Sequence, residues 1–317
     1  MSFHWHLSCG NGSGRARRLL VAILGFLSLL GWMGASSAAD VEVLAQGRGY
    51  TEGTIFVGGI LYFVDFSSSD VLRVMANRVE SVWHQGGCGP SGLLQVPQGV
   101  LVACYSGNAV VLISLDGKVL QTISGDEAGQ LFDGPNDLAA DARGGVYFSA
   151  SGSDKVLGKV YYRTAGGQVR EVAGNINYAN GLVVSPNGKL LYVAESSSHR
   201  LLVFAISADG SLGPQRQFVK LGDILTAGRT YTPDGVRTDK RGRLFVGLYD
   251  GGGFAVINSD GKLVQQVDVP GPHHANLAIS PDGKYVYGTT AYDDPSGRDD
   301  PARRRGELYR VPNPVGE

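Results

Sequence analysis

One signal constrains this chain more than any other: a short β-forming string, preceded by a glycine-containing turn, recurs six times. The copies are Leu61-Tyr62-Phe63-Val64, Val100-Leu101-Val102-Ala103, Val146-Tyr147-Phe148-Ser149, Leu191-Tyr192-Val193-Ala194, Leu244-Phe245-Val246-Gly247 and Val286-Tyr287-Gly288-Thr289. They begin about 45 residues apart on average. The turns before them include Val57-Gly58-Gly59, Pro186-Asn187-Gly188 and Pro281-Asp282-Gly283, each with a residue able to take positive φ in a hairpin. Further strand pairs follow the strings, as in Val110-Val111-Leu112-Ile113, Asp116-Gly117-Lys118 and Val119-Leu120-Gln121-Thr122. Four short strands per repeat of this length is the unit of a β-propeller. The reading is therefore all-β: a single six-bladed β-propeller. Its last repeat is one strand short after Leu308-Tyr309-Arg310-Val311, and Val41-Glu42-Val43-Leu44 is the natural N-terminal strand to close it. A two-domain β-sandwich gives no reason for six similar periods.

Composition agrees with that reading. The chain has 47 glycines in 317 residues, without a triplet period and with only 13 prolines, which excludes collagen and suits many tight turns. A hydrophobic fraction of 43% excludes a disordered chain, and a net charge of −1 leaves no basic footprint for nucleic acid.

Residues 1–39 stand outside the repeats. Arg15, Arg17 and Arg18 precede an apolar run over 19–33, and Ser37-Ala38-Ala39 offers a small-residue cleavage site before Asp40. The expectation is a signal peptide over 1–39 and a single mature domain over 40–317, periplasmic or secreted, with no membrane association after cleavage. An uncleaved anchor is the alternative, and the general and twin-arginine routes both stay open. Cys88 and Cys104 then remain as a pair in an oxidising compartment, either bridged or packed as two thiols. A bridge would contribute on the order of 3 kcal/mol.

About nine residues upstream of each string sits one polar residue at the start of the first strand: Glu52, Ser91, Asn136, Asn180, Asp234 and Asn276. The first strand of every propeller blade lines the central channel, so residues in one phase gather at one level around the axis. Glycine follows four of them, as Gly53, Gly92, Gly181 and Gly235. The set offers oxygen donors and no thiolate or imidazole, which suits one divalent cation: Ca²⁺ first, with Mg²⁺ or Mn²⁺ as alternatives. Two carboxylates converging out of water also call for a cation or displaced pKa values.

These residues carry a resemblance. Glu52-Gly53-Thr54-Ile55-Phe56 leading to Leu61-Tyr62-Phe63-Val64-Asp65 resembles the opening motif of the gluconolactonase and senescence marker protein (regucalcin) family. Gly134-Pro135-Asn136-Asp137-Leu138, Asn180-Gly181-Leu182 and Pro233-Asp234-Gly235-Val236 are similar to its later motifs. The resemblance spans about residues 45–312. It implies a calcium-dependent lactonase or related esterase with one metal in the channel. Carried over, Glu52, Asn180 and Asp234 match the metal ligands, and Asn136 the neighbouring residue that contacts substrate. The chain departs from the sugar-lactone members at Gly134, where they carry an arginine.

The resulting reading is a metal-dependent hydrolase of lactones or small esters, with the cation polarising the carbonyl. Asp234 is the candidate general base and Asn136 its catalytic partner. Ser91, Asn136, Asn276 and His274 are the candidate substrate-binding residues, His274 with His273 as a pair at the channel mouth or in a solvated loop. His84 and His199 read as structural. Tyr105, Tyr249 and Tyr292 occupy corresponding strand ends, either in the pocket wall or in the core. The mixed-charge stretch 293–305 reads as a solvated loop. A non-catalytic, calcium-stabilised propeller that binds a ligand or protein is the alternative function.

Overall fold

Gly58 and Gly59 both take positive φ, 57° and 83°, which makes the link from Val57 to Ile60 a two-residue hairpin turn of the kind that twisted strands need. Comparable turns repeat around the chain and generate six antiparallel sheets. The computed structural model describes residues 37–38, 40–76, 78–271, 273–291 and 306–316. The expected leader over 1–39 (apart from Ser37 and Ala38), Tyr292 and the stretch 293–305 lie outside the described residues.

Each sheet is one blade, in chain order from its inner strand outward. Blade I comprises Thr51–Val57, Ile60–Asp65, Asp70–Met75 and Arg78–His84. Blade II comprises Pro90–Val96, Gly99–Cys104, Ala109–Ile113 and Val119–Ile123. Pro135–Ala140, Val146–Ser153, Val156–Arg163 and Val169–Ile176 form blade III, and Ala179–Val184, Leu190–Glu195, Arg200–Ala205 and Arg216–Lys220 form blade IV. Blade V runs Pro233–Thr238, Leu244–Leu248, Gly253–Ile257 and Leu263–Asp268, with Ser37–Ala38 parallel to its last strand. Blade VI takes three strands from the end of the chain, His273–Ile279, Tyr285–Ala291 and Gly306–Pro312, and its fourth from the beginning, Glu42–Arg48. That closing strand pairs antiparallel with Gly306–Pro312, Glu42 opposite Arg310, and their side chains form an ion pair at 2.7 Å. The N-terminal strand thus closes the ring as expected, running on to Arg48.

Apolar packing lies between the blades. Tyr62, Val64 and Val71 of blade I meet Leu93, Val100 and Val102 of blade II, and equivalent clusters occupy the other interfaces up to blade VI against blade I. Strands such as Gly99–Cys104 and Ala109–Ile113 are buried throughout, because each blade has a neighbour on both faces.

Two features shape the channel. Each inner strand breaks register against its neighbour close to its polar residue, between Glu52 and Ile55, Pro90 and Gly92, Pro135 and Leu138, Ala179 and Leu182, Pro233 and Val236, and His274 and Leu277. Such bulges re-aim side chains. Next, the inner strands of adjacent blades nearly touch. A Cβ at Gly92 would lie 2.3 Å from the Asn136 carbonyl oxygen, and one at Gly181 would lie 2.2 Å from that of Asp234. Glycine follows the polar residue there because no side chain fits.

Gly181→Ala is therefore expected to lower the unfolding free energy by about 2 kcal/mol or more, as overpacking does. Gly222→Ala, where nothing lies within 4 Å, should be close to neutral. Denaturant titration of both variants measures the contrast; equal effects would contradict the close approach.

Candidate active site at the channel mouth

A cavity of about 510 Å³ opens at one end of the channel. Its floor is set by Glu52, Ser91, Asn136, Asn180 and Asp234. Its walls come from the chain entering the inner strands (Tyr50, Tyr178, Thr232) and from the turns after the second strands (Phe66, Tyr105, His199, Tyr249).

The floor residues are held in a definite way. Asn136 donates through Nδ2 to Ser151 Oγ at 3.1 Å, which leaves its carboxamide oxygen for the cavity. The Asn180 carboxamide lies beside the Asp234 carboxyl and favours its charged form. Glu52 accepts from the Gly53 N–H at 3.3 Å, and the nearby Asn276 carboxamide favours its charged form. Burial pushes the Glu52 carboxyl up from 4.5 to about 8, with the charge of Asp137 adding to the effect. Asp234 is raised well above the ordinary carboxylate range, first by burial and then by the charge of Glu52. Two mutually repelling carboxylates, flanked by carboxamide oxygens, make a donor set that fits a hard divalent cation. Among the described residues no group of three or more His, Cys, Asp or Glu is arranged to hold a metal, so the carboxamides are needed to complete the set.

Two of the expected substrate-binding residues lie outside the cavity lining. His274 does not face the cavity: it is buried, with Nε2 donating to the Gly271 carbonyl at 3.1 Å and Nδ1 accepting from the Tyr309 hydroxyl at 3.1 Å. Burial lowers its pKa to about 4. Its neighbour His273 stacks on Tyr249 instead, with ring centroids 4.2 Å apart, because successive residues on a strand point to opposite faces. Asn276 is not in the cavity lining either; its oxygen accepts from Arg237 at 2.9 Å. Ser91 lines the floor, yet its hydroxyl donates to the Asn136 carbonyl at 2.9 Å and so ties blade II to blade III.

His199, read as structural, does line the cavity. Its Nδ1 lies 3.4 Å from Thr232 Oγ1, which donates to Asp250 at 2.7 Å. It occupies a turn between second and third strands, off the phase of the inner ring. Tyr50, Tyr178 and Thr232 share a position in the sequence: each sits two residues before a ring residue, just outside the inner strand. At the corresponding places in blades II and III stand Gly89 and Gly134. A Cβ at Gly89 would lie 2.4 Å from Ser106 Oγ and 3.0 Å from the Phe66 ring, and one at Gly134 would lie 3.0 Å from the Tyr105 ring, so neighbouring side chains already fill the space. Tyr105 and Tyr249 are wall residues rather than core. Phe66 packs edge-on to Tyr105, centroids 6.0 Å apart, and Tyr105 shares a 3.1 Å hydrogen bond with Tyr178. Just before Tyr105, Cys104 is joined to Cys88 in a disulfide, which ties the entry of blade II to the end of its second strand.

Residues 50–292 match the family model described as the SMP-30/Gluconolactonase/LRE-like region. The chain belongs to this family. It is 26% identical over 247 residues to the lactonase drp35 of Staphylococcus aureus (strain bovine RF122 / ET3-1), covering 73% of each protein. Its fold is similar to that of the gluconolactonase XC5397 from Xanthomonas campestris, with a TM-score of 0.71 at 21% identity over 86% of this chain and 89% of that one. The calcium-binding protein regucalcin from Agrobacterium tumefaciens superimposes with a TM-score of 0.72 at 19% identity, covering 87% and 95%.

The raised carboxyls predict a pH effect of definite sign. Without a cation, folded Glu52 keeps its proton up to about pH 8, whereas the unfolded chain releases it near 4.5. The stability this group contributes is full below its unfolded pKa and is lost as pH rises through the folded one. A cation competes with those protons, so it should stabilise most at the alkaline end. Thermal midpoints of chelator-treated protein should fall as pH rises from 4.5 to about 8, and added Ca²⁺ should reverse the fall. A flat profile would contradict the assignment.

Proposed function

We propose that this chain is an exported, divalent-cation-dependent hydrolase of lactones or small esters. The observation that carries the reading is the pairing of two buried carboxylates with carboxamide oxygens at the floor of a substrate-sized cavity. The lactonase names among its relatives and the calcium-binding name of one structural neighbour support it.

Glu52, Asn180 and Asp234 would hold the cation, with Asn136 beside it. Bound there, Ca²⁺ would act as a Lewis acid on a carbonyl oxygen. Asp234, which lines the cavity floor and would keep one carboxylate oxygen free of the cation, would accept the proton of the attacking water. Asn136 presents its oxygen to the cavity and orients the water or the substrate. The walls bear on the substrate class. The cavity lining contains no Lys or Arg among the described residues, and the hydroxyls of Ser91, Ser196 and Thr232 already donate to protein acceptors. Aromatic faces of Tyr50, Phe66, Tyr105 and Tyr249 favour an uncharged lactone or ester with an apolar or aryl face over a polyhydroxylated sugar lactone.

Hydrolysis of a benzo-fused lactone and of a sugar lactone, each with Ca²⁺ and with chelator, tests this reading. The first should be preferred, and chelation should abolish turnover without unfolding. Asp234→Asn should lower kcat/KM by about 100-fold or more, the usual weight of a general base. A larger loss in His199→Ala than in Asp234→Asn would move the base to the imidazole. No hydrolysis of any lactone or aryl ester, with Ca²⁺ binding intact, would leave a binding propeller instead.

A further inference from the structure

Beneath the cavity floor the channel is crossed by one side chain. Arg237 lies on the same inner strand as Asp234, and its guanidinium reaches from blade V to blades III and VI. Nη1 donates to Asp137 Oδ2 at 2.7 Å and to the Val236 carbonyl at 2.9 Å. Nη2 donates to Asn276 Oδ1 at 2.9 Å and lies 3.4 Å from Asp137 Oδ1. The Arg237 and Asp137 side chains are 16% and 1% exposed. Below them a smaller cavity of about 350 Å³, walled mainly by Leu, Ile, Val and Ala, opens to the opposite mouth, and Arg237 lines it. The Asp137–Arg237–Asn276 cluster stands between the two cavities.

The fork of the guanidinium decides which way Asn276 faces. The carboxamide oxygen of Asn276 also accepts from the Leu277 N–H at 2.9 Å, so both of its acceptor directions are used. Its nitrogen is left to donate, and it stands near enough to the Glu52 carboxyl to act on its acidity as a hydrogen-bond donor. We propose that Arg237 is a positioning residue for the cation site: anchored on Asp137, it fixes the Asn276 carboxamide, which in turn fixes the Glu52 carboxylate at the cavity floor. This rests on the reading of that floor as a divalent-cation site. The role is that of an outer partner that orients a ligand, and loss of such partners commonly weakens metal affinity by about 10- to 100-fold.

Two variants separate this role from a purely structural tie. Arg237→Lys keeps a cation beside Asp137 but lacks the planar fork that holds Asp137 and Asn276 together. Asn276→Leu keeps the Arg237–Asp137 pair and removes the relay. Calorimetric titration of the metal-free full chain with Ca²⁺ alone should show the Kd raised about tenfold or more in both variants. The thermal midpoint of Arg237→Lys in chelator should stay close to wild type. Should Arg237→Lys fail to fold, Asn276→Leu carries the test. Wild-type Ca²⁺ affinity in the folded variants, whether or not their midpoints fall, would overturn the proposal and leave a structural tie between blades. A wild-type chain that takes up none of Ca²⁺, Mg²⁺ or Mn²⁺ would instead remove the cation site itself, and this role with it.

Discussion

Six inner strands must share one axis, and the rest of the molecule follows from that crowding. Where neighbouring inner strands touch, backbone meets backbone: Gly53 lies against the Ser91 carbonyl, Gly92 against that of Asn136 and Gly181 against that of Asp234. Side chains excluded from these contacts have only the channel to occupy. The register break in every inner strand turns one polar residue per blade toward it. A convergent polar floor is thus a by-product of closing the ring, and the identity of each residue decides what the floor can bind.

Electrostatics makes that floor demanding. Glu52 and Asp234 are about 95% buried, and burial raises both carboxyl pKa values, with the charge of Asp137 adding to it at Glu52 and that of Glu52 adding to it at Asp234. Carboxamides and one backbone N–H favour their charged forms, while Arg237, the nearby fixed cation, is committed to Asp137. The protein therefore brings two carboxyls and several oxygen donors together without committing its nearby guanidinium to either carboxyl. A structure that carried only packing constraints would not retain such an arrangement, because apolar residues fill a channel at lower cost.

Much of this was legible in the sequence because it is periodic. The six strings and their turns mark the blades, and the missing strand after Val311 marks the need for a partner near the N-terminus. Glu52, Asn136, Asn180 and Asp234 were legible because they keep the blade phase at the start of the inner strand. What the period does not encode was harder to read. His274 lies near the same phase, but strand alternation and a bulge whose position no sequence rule fixes turn it into blade VI, leaving His273 on the aromatic wall. His199 comes from a turn between outer strands, where loop geometry rather than periodicity sets direction. Asn276 keeps the phase yet is withdrawn by Arg237, a single residue with no counterpart in the other blades.

The seam of blade VI sets an order of events for the chain. Glu42 and Arg310 pair across a separation of 268 residues, so the strand Glu42–Arg48, made early, waits for nearly the last. Until then the other blades can form their own hairpins, since those contacts are local, but the ring stays open and the inner strands lack their final neighbours. The carboxylates of Glu52 and Asp234 come together late as well, after most of the backbone is already paired. Assembly of the polar floor is thereby postponed to the step at which the whole circle becomes continuous, and the chain passes through its open stages without having to bring those two charges together.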